Sequence, residues 1–385
     1  MPRGRVFRTI LTVGLRQAMK FPQFDMERMQ SVWEHKVTYD LSESGVEPLT
    51  LEEAARDPRE LLRTKLGYAE GVGLESTRQY IADFHWKATA EDVVITTGTS
   101  EANFLALLAL VSAGDEVVVV MPSYMQVHGV AQGLGARVRE VWLREERGWT
   151  IDLDALGAAV NAKTRVICVC TPNNPTGQAL SSGEVDEIAR IATRHGAWIL
   201  ADEVYRGAER DGAESASFAG RGERIIVTGG LSKAYGLPGL RVGWAVAPAE
   251  QAQAVLRLKD YTTIAPSSVS EVLADLALER RPKLLERTRF ILNERWPTLE
   301  NWAATHAREL HWTPPAAGAI CFFSYRFPID SMPLVDRLIR DYSTMVVPGI
   351  HFKTERHLRI GFGGPTRVLH SGLAALDRLL ATIGD

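Results

Sequence analysis

Lys233 is the residue around which chemistry can be assembled in this chain. It stands in the stretch Thr228-Gly-Gly-Leu-Ser-Lys-Ala-Tyr-Gly-Leu-Pro-Gly-Leu-Arg-Val-Gly-Trp244, a glycine-rich turn between two apolar runs. The run from Arg224 to Thr228 reads as a buried strand and that from Arg241 to Ala247 as another, so the lysine falls at a strand's carboxyl end. Open α/β sheets collect their active sites at such ends. A lysine amine there can form a Schiff base with an aldehyde cofactor, and Ser232 beside it with Arg241 eight residues on could hold a phosphate. Taken alone, Ser-Lys in a turn more commonly describes a solvated surface lysine, so the other strand ends decide.

Three of them carry polar groups. The strand from Glu91 to Thr97 runs into Gly98-Thr99-Ser100 and a helix from Glu101, an arrangement whose free backbone N–H groups and helix dipole suit a phosphate. A plain helix cap by Thr99 or Ser100 explains the same residues without an anion. The strand from Arg165 to Cys170 ends in Thr171-Pro-Asn-Asn-Pro-Thr-Gly177, which presents Asn174. The strand from Trp198 presents Asp202 and Tyr205, three residues apart; they share a face only if the strand ends between them, which implies a turn at Val204. Together these groups are the parts that pyridoxal phosphate chemistry requires: an imine-forming lysine, a carboxylate to keep the pyridine nitrogen protonated, donors for the ring oxygen and a phosphate cup.

The elements that position these residues follow from periodicity. Strands at 91–97, 116–121, 137–142, 165–170 and 198–205 alternate with helices at 101–110, from about Tyr124, at 152–160 and at 182–195, which predicts a mainly parallel sheet with helices on both faces. The spacing of Phe24, Met26, Met29, Val32 and Trp33 suits a short amphipathic helix, followed by an extended arm from Lys36 to Pro48. Ser44-Gly45 in that arm could bring main-chain amides close to a small ligand, and an ordinary turn is the alternative. Tyr68 lies in a glycine-punctuated loop from Leu66, where nothing local says that its hydroxyl meets a ligand. After Pro266 the pattern is helical through Glu271 to about Arg308, followed by strands at 318–324 and 357–363. The expected organisation is an extension over 1–20, an arm over 21–48 that packs with a smaller domain, a large cofactor-binding domain over 49–270, and a connecting helix with the small domain over 271–385.

The composition is that of an ordinary soluble globular protein: 385 residues, 45% hydrophobic and 24% charged, enough to bury a sizeable core. The formal net charge of −3 gives no reason to expect a nucleic acid or an anionic membrane as partner. No apolar run reaches the length of a membrane span. Cys168, Cys170 and Cys321 have neither disulfide-framework nor metal-ligand spacing, and point to a reducing cytoplasm with no metal site. Residues 1–20 lack the continuous hydrophobic stretch of a signal peptide, and a true start near Met19 is an alternative for that segment.

On the set Gly98-Thr99-Ser100, Asn174, Asp202 with Tyr205, and Ser232-Lys233 with Arg241, the chain resembles the class I/II aminotransferases of the aspartate aminotransferase fold, fold type I of the pyridoxal phosphate enzymes. The match runs along almost the whole chain. The resemblance implies a large domain with a seven-stranded, mainly parallel sheet between helices, and a smaller α/β domain formed by the N-terminal arm and the C-terminal part. It implies that Lys233 carries the cofactor imine and then shuttles the substrate proton, that Asp202 pairs with the pyridine nitrogen, and that Asn174 and Tyr205 bind the ring hydroxyl. Gly98, Thr99, Ser100, Ser232 and Arg241 would hold the phosphate and Tyr124 would stack on the ring. Arg359, in Leu-Arg-Ile-Gly-Phe-Gly, matches the arginine that grips the substrate α-carboxylate, which a planar fork can do bidentately. Gly45 would line the substrate pocket. Tyr68 would reach the phosphate of the neighbouring subunit, so a homodimer with shared sites is also implied.

The chain departs from the family in two respects. Its Pro348-Gly349 loop is short and has Lys353 where glycine is frequent, and no second arginine stands ready for a distal carboxylate, so an aspartate or glutamate substrate is not supported. The arm from Tyr39 to Leu49 resembles the subgroup containing capreomycidine synthase and related enzymes that dehydrate and cyclise hydroxylated arginines. The expected activity is transfer of an L-amino acid's amino group to a 2-oxo acid, with elimination, replacement or cyclisation on the same residues as the alternative. An oxoamine synthase fits less well, since that family usually has histidine where Tyr205 stands. A non-catalytic regulator would need a DNA-binding head, for which the first 40 residues are too few.

Overall fold

The computed structural model describes residues 21–55 and 58–383, so the extension expected over residues 1–20 lies outside the described residues. Thirteen strands occur among them: β1 (Tyr39–Asp40), β2 (Val93–Thr96), β3 (Glu116–Met121), β4 (Arg137–Trp142), β5 (Thr164–Cys170), β6 (Trp198–Asp202), β7 (Ile225–Gly230), β8 (Gly243–Val246), β9 (Leu310–Trp312), β10 (Ile320–Tyr325), β11 (Thr344–Met345), β12 (Val347–Pro348) and β13 (His357–Gly361). Seven form one sheet in the order β2-β8-β7-β6-β5-β3-β4. Within it β8 runs antiparallel to both of its neighbours, and the pairs β7-β6-β5-β3-β4 are parallel. A parallel sheet covered on both faces needs strands that are apolar on both sides, and β3, with every residue from Glu116 to Met121 buried, has that character. Fully burying one of its valines contributes about 1.5–3 kcal/mol.

The crossovers carry explicit helix signals. Ser181 and Glu184 form a reciprocal capping box at the start of helix Ser182–His195, and Gly196 ends it at φ +66°. Helix Thr99–Leu110 is apolar nearly all round, and packs against helix 249–259 and strand β8. The continuous helical pattern expected from Glu271 to about Arg308 is two helices, Ser268–Glu279 and Arg281–Thr305. The break falls at Arg280 because Pro282, having no N–H to donate, sits in the first turn of the second helix, where none is needed.

A second sheet, β12-β13-β10-β9, is antiparallel throughout. The N-terminal arm stitches the two sheets together. Strand β1 pairs in parallel with β11, Gly361 N donates to Leu41 O at 2.7 Å, Glu47 N to Gly363 O at 2.8 Å, and Leu49 N to Gly236 O at 2.9 Å. One end of the arm is therefore fixed to strand β13 and the other to the turn that carries Lys233. No helix among the described residues is long and apolar enough to cross a membrane.

Candidate active site

The carboxyl ends of β2, β5, β6 and β7 open into one cavity of about 270 Å³, lined among others by Thr99, Ser100, Tyr124, Asn174, Asp202, Tyr205, Ser232, Lys233, Arg241 and Arg359. Its floor is built by chain reversals. Strand β6 stops at Asp202 and the chain turns from Val204, so Asp202 and Tyr205 reach the same cavity. Asn174 Nδ2 donates to the Tyr205 hydroxyl at 3.1 Å. Arg241 takes a left-handed conformation, φ 52°, at the end of the short helix Pro238–Leu240. Its guanidinium lies against Gly98, where a Cβ would meet Nη2 at 2.6 Å; with φ +79° as well, only glycine suits that position.

Burial raises the Asp202 carboxyl above the ordinary range. Opposing it are hydrogen bonds from the Asn103 amide, Nδ2 to Oδ2 at 2.8 Å, and from Val204 N at 3.1 Å, with the Lys233 charge adding to them. Asn103 is in turn held by Thr228, whose hydroxyl donates to its Oδ1 at 2.7 Å. Burial also raises the Tyr205 phenol, against the nearby charges of Lys233 and Arg359.

Opposite the floor is a wall from the arm and β13. Arg359 is 1% exposed, with Nη1 donating to Asn174 Oδ1 at 2.9 Å and Nη2 to the Ser42 carbonyl at 2.5 Å. The Tyr205 hydroxyl donates to Ser44 Oγ at 2.9 Å, and the Tyr124 hydroxyl to Glu27 Oε1 at 2.8 Å. Lys233 Nζ donates to Glu43 Oε1 at 2.8 Å. Burial alone would raise the Glu43 carboxyl, but the Lys233 ammonium, the Gly45 N–H and Arg359 bring it down to about 2. Gly45 packs at the junction, its Cα side facing the Ser232 carbonyl and the Lys233 stem.

Two buried polar atoms in this cavity have no partner: Thr99 Oγ1 and Arg359 Nε. An unsatisfied buried donor is destabilising by about 1–3 kcal/mol, and these two stand where a phosphate and a carboxylate would satisfy them. The residues present thus fit pyridoxal phosphate: an anion cup, a buried carboxylate facing the cavity and a lysine amine.

Of the residues singled out by sequence, the structure brings Thr99, Ser100, Tyr124, Asn174, Asp202, Tyr205, Ser232, Lys233, Arg241 and Arg359 to one cavity, with Gly98 and Gly45 immediately behind. Tyr68 is elsewhere: it is 90% exposed, in a loop held from behind by Lys259, whose Nζ donates to the carbonyls of Gly71 and Ile95 at 2.6 and 2.7 Å. Lys353, at φ 57°, supplies the left-handed residue that glycine would, and its ammonium pairs with Glu140. Ser44, singled out with Gly45 for its main-chain amides, reaches the site through its side chain. Asn103, Glu27, Glu34 and Glu43 also reach the site, and sequence reasoning missed them. For Asn103 a signal existed, as the one amide in an otherwise apolar helical run; for the other three the signal is tertiary.

This fold and this cavity define a fold type I enzyme of amino-acid chemistry. Residues 39–376 match the family model for aminotransferase class I and II, and the chain belongs to that family. It is 35% identical over 350 residues to capreomycidine synthase of Streptomyces vinaceus, covering 89% of this chain and 90% of that one. A PLP-dependent aminotransferase from Streptococcus suis 89-1591 superposes with a TM-score of 0.90 at 30% identity, over 95% of this chain and 99% of the other. The PLP-dependent cyclase OrfR superposes with a TM-score of 0.87 at 29% identity, over 96% and 99%.

Proposed function

We propose that the protein binds pyridoxal 5'-phosphate on Lys233 and transfers the amino group of an L-amino acid to a 2-oxo acid. The observation that carries this reading is the convergence of Lys233, Asp202 and Arg359 on one cavity that also holds the unsatisfied Thr99 hydroxyl and Arg359 Nε. Bound there, the cofactor would supply an electron sink for the pair released when the substrate Cα–H bond breaks. The chain's residues do the rest. Gly98, Thr99, Ser100, Ser232 and Arg241 would hold the phosphate; Asp202, oriented by Asn103, would hold a proton at the pyridine nitrogen; Asn174 and Tyr205, whose hydroxyl would turn from Ser44, would bind the ring oxygen; and Tyr124 would stack on the ring. Arg359 orients the α-carboxylate, and Lys233 Nζ carries the proton between substrate atoms.

The side-chain subsite is acidic. Glu27 on helix Asp25–Trp33 and Glu34, the residue that caps its carboxyl end, line the cavity. Its lining cations are Lys233, Arg241 and Arg359, all engaged in the roles above. This wall favours an amino acid with a cationic side chain over a dicarboxylate. The same acidic wall, with the likeness to capreomycidine synthase and to OrfR, supports a second reading, in which an arginine-like substrate keeps its nitrogen, loses a leaving group and closes a ring. We further read the protein as a cytoplasmic homodimer, with the exposed Tyr68 reaching the partner's phosphate site; its cysteines are buried free thiols.

The experiment is mass spectrometry of products after the cofactor-loaded protein meets a panel of amino acids, arginine and its hydroxylated forms included, with and without a 2-oxo acid. Amino transfer that depends on the 2-oxo acid establishes the aminotransferase. Loss of water or another leaving group with nitrogen retained establishes the second reading. No turnover of any amino acid by protein that binds the cofactor would overturn both.

A further inference from the structure

The most unusual feature of the cavity is a fixed carboxylate on the reactive amine. Glu43 Oε1 accepts three hydrogen bonds, from Ser44 N at 2.9 Å, Gly45 N at 2.7 Å and Lys233 Nζ at 2.8 Å. Two of these come from the main-chain N–H groups of the next two residues, so the carboxylate is held in place without the lysine. The backbone is locked too: a Cβ at Gly361 would lie 2.0 Å from the Glu43 carbonyl oxygen, so the arm and strand β13 are in contact at that point. The charged and titratable groups facing Lys233 are Glu43 from the arm, Tyr205 and Asp202 from the end of β6, and Arg359 from β13. Glu43 itself faces Lys233, Arg359 and, along the arm, Asp40. Among these groups only Glu43 touches the amine nitrogen.

We infer that Glu43 is a positioning residue that keeps the proton on Lys233 Nζ, both in the free amine and when that nitrogen is bonded to the cofactor. The inference rests on the reading of Lys233 as the cofactor-bearing residue. Its physical basis is the Coulomb attraction of an opposite charge at hydrogen-bond distance, which favours the cationic form of the nitrogen. A protonated nitrogen keeps the carbon bonded to it electrophilic toward an incoming amine. Once released, the lysine must be neutral to take the proton from the substrate carbon, and Glu43 then strengthens its hold on that proton until it is returned. Arg359 opposes this effect, and so Glu43 offsets the second cation that carboxylate binding places in the cavity.

The test is a pH titration of the visible absorption of the cofactor-loaded protein, native and Glu43→Gln. The variant should lose its proton from Nζ at least about one pH unit lower, a tenfold or greater fall in proton affinity. Glu43→Asp, whose carboxylate is drawn back by one methylene, should fall between the two, and it serves as the probe if Glu43→Gln does not fold. A second readout needs no turnover: in cofactor-free protein, the rate of condensation of Lys233 with added pyridoxal phosphate should reach half its maximum at lower pH in the variant. Unshifted titrations in a variant that folds and binds the cofactor overturn the inference. The two levels separate cleanly. If the absorption band survives Lys233→Ala, the functional reading itself fails; if Lys233→Ala abolishes it but Glu43→Gln titrates like the native protein, only the role of Glu43 fails.

Discussion

The floor and the wall of the cavity are built in opposite ways. The floor is made of contiguous pieces: a strand end, the turn that follows and, at Thr99, the helix start after that, each supplying its polar groups within a few residues. The wall is made of pieces that meet only in the fold: Ser44 precedes Arg359 by more than three hundred residues in the chain, yet Tyr205 and Asn174 link the two through hydrogen bonds, and Glu27 is reached by the Tyr124 hydroxyl. Floor residues sit at the ends of buried parallel strands, where little can move. Wall residues depend on a thin arm tied by main-chain bonds to β11, β13 and the Lys233 turn. The difference suggests a division of labour, with chemistry common to the family assigned to the floor and substrate choice assigned to the wall.

Substitutions test that division, and the largest effects belong to the floor. Lys233→Ala should lower turnover by at least about 10⁴-fold, since it removes both the covalent attachment and the proton carrier; residual turnover near the native rate would break the assignment. Asp202→Asn should retain the hydrogen bond from Asn103 but lose the charge, lowering turnover by about 10²–10³-fold with the cofactor still bound.

On the wall, Arg359→Ala should act mainly on substrate affinity, raising KM by about 10- to 100-fold. Arg359→Lys should recover only part of it, because an ammonium cannot reproduce the planar fork. A change confined to kcat would mean that another group holds the α-carboxylate. Glu27→Gln should shift the ratio of kcat/KM for arginine over its uncharged isostere citrulline by about tenfold or less, since its carboxylate is partly solvated. An unchanged ratio would move specificity away from the helix Asp25–Trp33.

The same contrast sets how much could be read without the fold. The alternation of strands and helices was legible, as were Lys233, Asp202, Asn174 and Arg241, because strand-turn-helix periodicity places such residues at one edge of a sheet whatever the rest does. Arg359 was legible only through resemblance, since its burial against Ser42 and Asn174 is a contact between distant segments. Glu43 was invisible for a related reason: a glutamate in an arm reads as solvated, its side chain is in fact 48% exposed, and only the fold brings its carboxylate to Lys233 Nζ. The break at Arg280 was missed because the apolar pattern on either side is continuous and a proline in a first turn leaves that pattern intact.

The smallest expected effect on turnover lies beneath the floor, at Glu203, and it separates the rigidity of this region from its chemistry. Burial pushes the Glu203 carboxyl up to about 7, despite the Phe218 N–H that donates to its Oε1 at 2.7 Å, and its Oε2 has no partner. A carboxyl whose folded-state value lies above its ordinary 4.5 binds a proton more tightly when folded. The stability it contributes is therefore fully present below about pH 4.5 and is lost as pH rises through 7, an effect on the order of a few kcal/mol. Glu203→Gln cannot ionise and should flatten this part of the stability curve. Denaturant unfolding at pH 5 and pH 8 is the measurement: the variant should gain on the native protein at pH 8 and not at pH 5. A gain of the same size at both pH values would show that Glu203 is already ionised in the fold, with a charge partner beneath Asp202 stronger than the hydrogen bonds now seen there.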